Sequence, residues 1–296
     1  MNPLIVGLKR EQLKPSADAL RKARASFKTL REMLPIPDVH PRILSWDIEA
    51  TGLALDFGRI FCVGFQWITG KSVKHAGCDL RGHYEWSGGR VVVRSQTDYP
   101  DYLTDHSSDK ALTTEVSDYL SQADLWAFHF GEFFDIKAVC TRLALHQKFP
   151  MPPIKFVDNW RLARILKLHS NRLDSVAKFL DLPEKTPILP QVWAAACGGY
   201  PWAVRYIEDH CKHDLPPLTE SYLRLRPFKR DHPNMNLTHT SLADMNTNRC
   251  PQCLWPHLTR IGHSFARTRI RDRWQCAKCG NCAVGITSGI VGEGIR

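Results

Sequence analysis

The sequence predicts an α/β domain built on a mixed sheet, followed by a small module stapled by a metal ion. Three observations carry this reading. A near-continuous apolar run, Ile43, Leu44, Trp46 and Ile48, marks a central strand buried on both faces. Strand signals come first and alternate with helical ones later, the order of a mixed sheet flanked by helices. Two Cys-x-x-Cys pairs, Cys250/Cys253 and Cys276/Cys279, have the spacing of metal ligands rather than of disulfides.

Taken in order, residues 1–40 are a basic lead-in. Leu13, Ala17, Leu20, Ala23, Phe27 and Leu30 recur at steps of three and four, which predicts one helix with an apolar stripe, capped by Ser16. A turn with Gly52 and Gly58 follows the central strand and leads to a second strand, Ile60 to Trp67. Residues 72–78 and 90–95 give weaker strand signals, with Gly88-Gly89 read as the turn between them. Residues 109–122 read as a helix and Leu125 to His129 as a short strand. Helices are then expected over 135–147, 159–167, 172–181 and 201–213. A polar stretch, 229–248, lacks apolar periodicity and reads as a linker. The expected organisation is a lead-in (1–40), an α/β domain (41–228), a linker (229–248) and a cysteine-rich module (249–296).

With 296 residues and 43% hydrophobic content, the chain can bury a real core. No run approaches the roughly 18 apolar residues that a membrane span needs. Only Leu4-Ile5-Val6 precedes the first charges, so no secretory leader is expected and the protein is read as soluble and cytoplasmic. Forty basic residues against thirty acidic ones give a net charge of +10. That excess attracts polyanions, nucleic acid foremost, although basicity for solubility alone also produces it.

Asp47-Ile48-Glu49-Ala50-Thr51-Gly52 closes the central strand. Residues two apart on a strand share a face, so Asp47 and Glu49 point together. Adjacent carboxylates repel unless cations lie between them, and magnesium, which takes oxygen ligands, suits that position. Asp135 follows Phe133-Phe134 at a helix start, where it is either an N-cap or a ligand. His210 and Asp214 stand four apart on a late helix and share its face, placing an imidazole one turn from a carboxylate.

The order of these acids resembles the DEDD superfamily of 3′→5′ exonucleases, which includes polymerase proofreading domains. The likeness spans about residues 42–228. It includes the approach from Trp126 to Asp135, Asn171-Arg172-Leu173 opening a helix, Lys185-Thr186-Pro187, and the closing Tyr222-Leu223-Arg224-Leu225-Arg226-Pro227. The last segments are similar to predicted exonucleases of bacteria and their phages. The resemblance implies a ribonuclease H-like fold in which Asp47, Glu49, Asp135 and Asp214 hold two Mg2+ or Mn2+ ions. It implies hydrolysis of single-stranded or 3′-ended nucleic acid, with DNA favoured over RNA.

The chain departs from that pattern in three places. The family carries Tyr four residues before the last Asp, or His five before it, whereas here position 210 is His and position 209 is Asp. His210 is read as filling the Tyr slot, where it would orient the attacking water and accept its proton. Phe130 stands where many relatives have Asn. Pro216-Pro217 follow the last acid, so either the helix ends near Asp214 or Pro216 opens a new one. Arg172 and Lys185 are candidates to hold substrate phosphates, or else ordinary surface charges.

Four thiolates, Cys250, Cys253, Cys276 and Cys279, form the closed shell of a structural zinc site, a zinc ribbon. Gly280 suits the tight turn after the second pair. Cys282 is an alternative to Cys279, but no glycine follows it, and it is read as a spare thiol. Between the pairs, Arg267, Arg269, Arg271 and Arg273 alternate with Thr268, Ile270, Asp272 and Trp274. On a strand the four arginines share one face, where a phosphate backbone relieves their repulsion or solvent does. Three other readings stand beside the exonuclease: a structure-specific endonuclease of the same fold, a non-catalytic nucleic-acid-binding protein, and a ribbon that docks a replication or repair partner.

Overall fold

Alternation along the central strand sorts its side chains between two cores. In the computed structural model, β1 (Ile43–Ala50) lies between β2 (Ile60–Ser72) and β4 (Leu125–Phe128), with β3 (Tyr84–Ser95) and β5 (Lys155–Asp158) at the edges. The first three strands run antiparallel, and β4 and β5 run parallel to β1. The structure describes residues 17–18, 21–22, 27–38, 41–72, 84–183, 187–229, 231–235, 249–265, 269–285 and 289–290.

Leu44, Trp46 and Ile48 face one core, packed with Val116 and Leu120 of a helix over Lys110–Leu120 and with Val139 and Leu143 of one over Asp135–Leu145. On the other face Cys62 meets Ile207, Cys211 and Leu215 of a long helix, Pro201–Leu225. Burying each such apolar side chain contributes about 1.5–3 kcal/mol, which makes this central run the anchor of the domain. In chain order the helices are α1 (Leu30–Met33), α2 (Pro100–Thr104), α3 (Lys110–Leu120), α4 (Asp135–Leu145), α5 (Asn159–Ala163), α6 (Leu173–Phe179), α7 (Pro190–Cys197) and α8 (Pro201–Leu225). A second sheet, β6 (Leu258–Phe265), β7 (Arg269–Cys276), β8 (Cys282–Val284) and β9 (Gly289–Ile290), is antiparallel and belongs to the cysteine module. The whole is a ribonuclease H-like mixed sheet flanked by helices, followed by a zinc ribbon. Among the described residues no helix is long and apolar enough to cross a membrane.

Several elements differ from expectation. The lead-in helix falls largely outside the described residues, Ser16 included. Where its end is described, Phe27 is not helical, and Thr29 caps the separate turn α1 by a capping box with Glu32. Of the strand expected over 72–78, only Ser72 is described. Gly88-Gly89 is not a turn: β3 runs through it. A Cβ at Gly88 would lie 2.5 Å from Gln66 Nε2, so the glycine leaves room for that side chain, opposite a register shift in β2. Gln66 itself donates to Gly89 O and accepts from Thr219.

The expected helix 159–167 shortens to α5, and β5, α2 and α7 carry no strong periodicity in the sequence. Helix α8 neither ends near Asp214 nor restarts at Pro216: it continues through both prolines to Leu225. Proline removes the bond to the carbonyl four residues back. Those carbonyls belong to Lys212 and His213, both exposed residues on the outer face of the helix. Buried Leu215, Pro217 and Leu218 then hold the helix on the sheet.

α8 comes close to the sheet because β2 offers Gly64. A Cβ there would lie 2.7 Å from Leu215 Cδ2 and 2.8 Å from Cys211 Sγ. Gly64→Ala is expected to cost about 1–3 kcal/mol by overpacking. Because Gly64 pairs with Asp47 and the displaced helix carries His210 and Asp214, any turnover that depends on those residues should fall with stability. Urea unfolding and turnover of the same sample measure both. Full activity in a destabilised variant would uncouple the helix position from the site.

Candidate metal centre and nucleic-acid interface

β1 delivers Asp47 and Glu49 at its carboxyl end, opposite Gly64 and Cys62 of β2. Asp135 is the first residue of α4 and is 3% exposed. Its Oδ1 accepts the Ile48 N–H at 3.1 Å, which sets it across the strand between Asp47 and Glu49. Burial, and then the charge of Asp47, push the Asp135 carboxyl well above the usual carboxylate range. From α8, His210 Nε2 lies 3.4 Å from Asp214 Oδ2 and 3.7 Å from Glu49 Oε1. Glu49, His210 and Asp214 offer ligand atoms within 4.8 Å of one another, and Asp214 is 1% exposed. The Cys211 thiol lies 3.8 Å from the Asp47 carbonyl oxygen and ties α8 to β1 behind the acids.

Carboxylates gathered in a half-buried space repel one another and call for positive charge. Hard oxygen donors of this kind fit Mg2+ or Mn2+, and the His210 imidazole lies within reach of the same group. The residue set therefore fits divalent cations.

One acid escaped the sequence reading. Asp158 ends β5, is buried, and accepts N–H bonds from Phe130 (2.8 Å), Glu132 (3.3 Å) and Trp160 (2.9 Å). Its charge adds to those that raise Asp135. It fixes the loop leading into α4. The run Phe156-Val157-Asp158, apolar residues ending in an acid, repeats the pattern of Trp46-Asp47 and was its sequence signal. Arg172 is exposed at the N-cap of α6, where its N–H bonds Ser170 Oγ at 3.3 Å. Lys185 lies outside the described residues.

The four cysteines come together as two close pairs. Cys250 Sγ is 3.7 Å from Cys279 Sγ, and Cys253 Sγ is 3.6 Å from Cys276 Sγ. Tetrahedral zinc with Zn–S bonds of about 2.3 Å holds its sulfurs at nearly that separation, so the site fits zinc. Hydrogen bonds among the four thiols lower Cys250 and Cys276 and raise Cys253 and Cys279, as expected of thiols that share their protons. Gly280 turns with φ 72°, as the second knuckle requires, and Cys282 is exposed outside the group. At the first knuckle the left-handed position is taken by Leu254, φ 61°, a strained choice for a leucine. Its side chain is buried with Ile43, Tyr222, Leu225 and Met235 in the core of the α/β domain. Trp86 of β3 donates to Cys253 O, and Gln252 donates to Lys229 O. The knuckle is thus packed on the domain.

Beside that junction His232 Nε2 meets Tyr222 Oη at 3.0 Å and Nδ1 meets Pro233 O at 2.8 Å. Burial, with help from Arg226 and Lys229, lowers His232 from 6.5 to about 3. A base held neutral in the fold makes the unfolded chain the better proton binder below 6.5. Stability from this group is complete above that pH and is lost as pH falls toward 3. His232→Gln should therefore flatten the fall in Tm between pH 6.5 and 5 relative to the wild-type chain. Parallel curves would show that His232 does not carry this dependence.

Of the arginine stripe, Arg269, Arg271 and Arg273 lie on β7, and Arg267 is outside the described residues. Arg271 and Arg273 are exposed. Asp272, which alternates with them, receives Arg260 at 2.8 Å and His263 at 3.2 Å from β6. The strand therefore has one face with internal ion pairing and one with arginines turned to solvent.

No family model and no curated protein matches this chain. Among solved structures it is similar to the family B DNA polymerase from the hyperthermophilic archaeon Pyrobaculum calidifontis. That likeness covers 79% of this chain and 32% of the polymerase, at 13% identity and a TM-score of 0.46. The chain spans about a third of that polymerase's length.

Proposed function

We propose that the protein is a metal-dependent 3′→5′ exonuclease of single-stranded nucleic acid, DNA in the first place, whose zinc ribbon helps grip the strand. The observation that carries this is the grouping of Glu49, His210 and Asp214, from β1 and α8, next to Asp135, which accepts the Ile48 N–H and feels the charge of Asp47. The four carboxylates would hold two Mg2+ or Mn2+ ions. When bound, such ions lower the pKa of a water and offset charge on the leaving oxygen. His210, with Nε2 turned to Glu49 and Asp214, orients the attacking water and takes its proton. Buried Asp135 and Asp214 keep the ligand set rigid, and Asp158 holds the loop before Asp135 in place. Arg271 and Arg273, continued by Arg267 and Arg269, bind phosphates without reading sequence, so affinity should fall steeply with salt.

The test is nucleotide release from 3′-labelled and 5′-labelled single strands, DNA and RNA, with magnesium or manganese. Mononucleotides released first from the 3′ end, and not by Asp47→Ala or Asp214→Ala, support the reading and name the substrate. Cleavage of a closed circle, or no hydrolysis by folded, zinc-loaded protein, overturns it.

A further inference from the structure

Strands β4 and β5 run parallel to β1, so the loops that follow them open on the edge where Asp47 and Glu49 stand. The loop after β4 and the start of α5, which follows β5, carry three rings that pack on one another. Phe130 stacks on Phe133 with centroids 5.1 Å apart, and Trp160 meets both edge-on at 5.3 and 5.6 Å. The two phenylalanines remain 42% and 40% exposed, although the cluster adjoins a buried core. Around them are Arg161 and Lys137, 5.5 and 5.8 Å from the Phe133 ring, and Arg164, 4.9 Å from that of Trp160. Arg161 also pairs with Glu132.

Backbone geometry argues against ordinary packing as the reason for these rings. Phe130 has φ 66°, a left-handed conformation that a bulky side chain adopts only under constraint. The constraint is Asp158, which takes the Phe130 N–H, while Phe130 O accepts from Phe133 and Phe134. The loop is thus held by its backbone, and Asn or Gly would sit there with less strain. Strain kept at an exposed position beside a reactive cluster is the mark of a working surface.

We infer that Phe130, Phe133 and Trp160 form a stacking platform for the unpaired bases of a single strand whose end lies at the acid cluster. Flat rings receive any base, so the platform is indifferent to sequence, and Lys137 and Arg164 beside it attract the intervening phosphates. A paired duplex hides its ring faces, which makes the platform selective for unpaired ends. This inference rests on the exonuclease reading for the position of the strand's end, but not for binding itself.

The test is equilibrium binding of the full, zinc-loaded chain to a labelled thymidine oligonucleotide and to the same strand with abasic sites. Calcium replaces magnesium so that the strand stays whole. The wild-type chain should hold the base-bearing strand about tenfold more tightly than the abasic one. Phe130→Asn keeps the left-handed backbone and removes the ring. It should lose about that tenfold on the base-bearing strand, change nothing on the abasic one, and keep or raise Tm. Equal wild-type binding of both strands, or an unchanged Phe130→Asn affinity, overturns the platform. Nucleotide release is read separately: base-dependent binding without hydrolysis leaves the platform and removes the exonuclease, and hydrolysis with base-independent binding does the reverse.

Discussion

Asp135→Asn should stabilise the metal-free protein at neutral pH and, in the same change, remove the proposed hydrolytic activity. The carboxyl is buried next to Asp47 and is pushed well above its ordinary 3.8. An acid whose folded pKa is raised stabilises the fold only below the unfolded value, and that contribution is lost as pH rises toward the folded one. Above the unfolded value this carboxyl therefore costs the fold stability, because burial and Asp47 oppose its ionisation. Asparagine keeps the oxygen that accepts the Ile48 N–H and drops the charge. The metal-free variant should gain on the order of 1 kcal/mol, which raises Tm by about 2–4 °C. The gain should vanish below about pH 4, where both states are protonated.

Activity should move the other way. Losing an outer partner of a metal ligand costs about 10–100-fold, so losing a ligand should cost at least a hundredfold, about 2.7 kcal/mol of barrier. Magnesium should raise Tm of the wild-type chain, and that rise should shrink in the variant. Thermal unfolding with and without magnesium, read beside nucleotide release, checks all three. A residue that only caps α4 would give the opposite pattern, lower Tm with activity kept.

How far these properties were legible in the sequence depends on how local their causes are. The buried run from Ile43 to Ile48, the Asp47/Glu49 pair and the His210/Asp214 spacing express single-element periodicities, and each lies on the expected strand or helix. Asp135 left two readings open because an N-terminal carboxylate serves as cap or ligand, and only the crossing of β1 by α4 sets it beside Asp47. The continuity of α8 through Pro216 and Pro217 was not legible, since it depends on which face of the helix is exposed. Gly88-Gly89 read as a turn because the reason for the glycines, the Gln66 side chain on the neighbouring strand, is distant in sequence. The short strand β5 hid Asp158 for lack of length, and with it the anchor of the Phe130 loop.

The same limit concealed the role of the first zinc knuckle, and it leads to the other large expected effect. A polar stretch over 229–248 suggests a module on a string, so that losing zinc would cost the ribbon and nothing else. The structure places Leu254 inside the α/β core against Tyr222 and Leu225, with Trp86 bonded to Cys253 O and Arg226 lying over the Trp86 ring. The knuckle holds this leucine left-handed, and a zinc ion at the four cysteines would in turn hold the knuckle.

Cys276→Ser removes a thiolate that is remote in sequence from the core contact. It should nevertheless release Leu254, at a cost near that of deleting a buried leucine, about 2–5 kcal/mol. At about 2–4 °C per kcal/mol, Tm of the α/β domain should fall by roughly 4–20 °C. Amide exchange should quicken around Tyr222–Leu225 and Trp86, and leave β1 protected. Leu254→Gly in the zinc-loaded chain separates the two causes: it relieves the left-handed backbone, keeps the metal, and should still lose most of that stability. If Cys276→Ser unfolds the ribbon while Tm and exchange in the α/β domain stay at wild-type values, the knuckle is an appendage and the string picture is right.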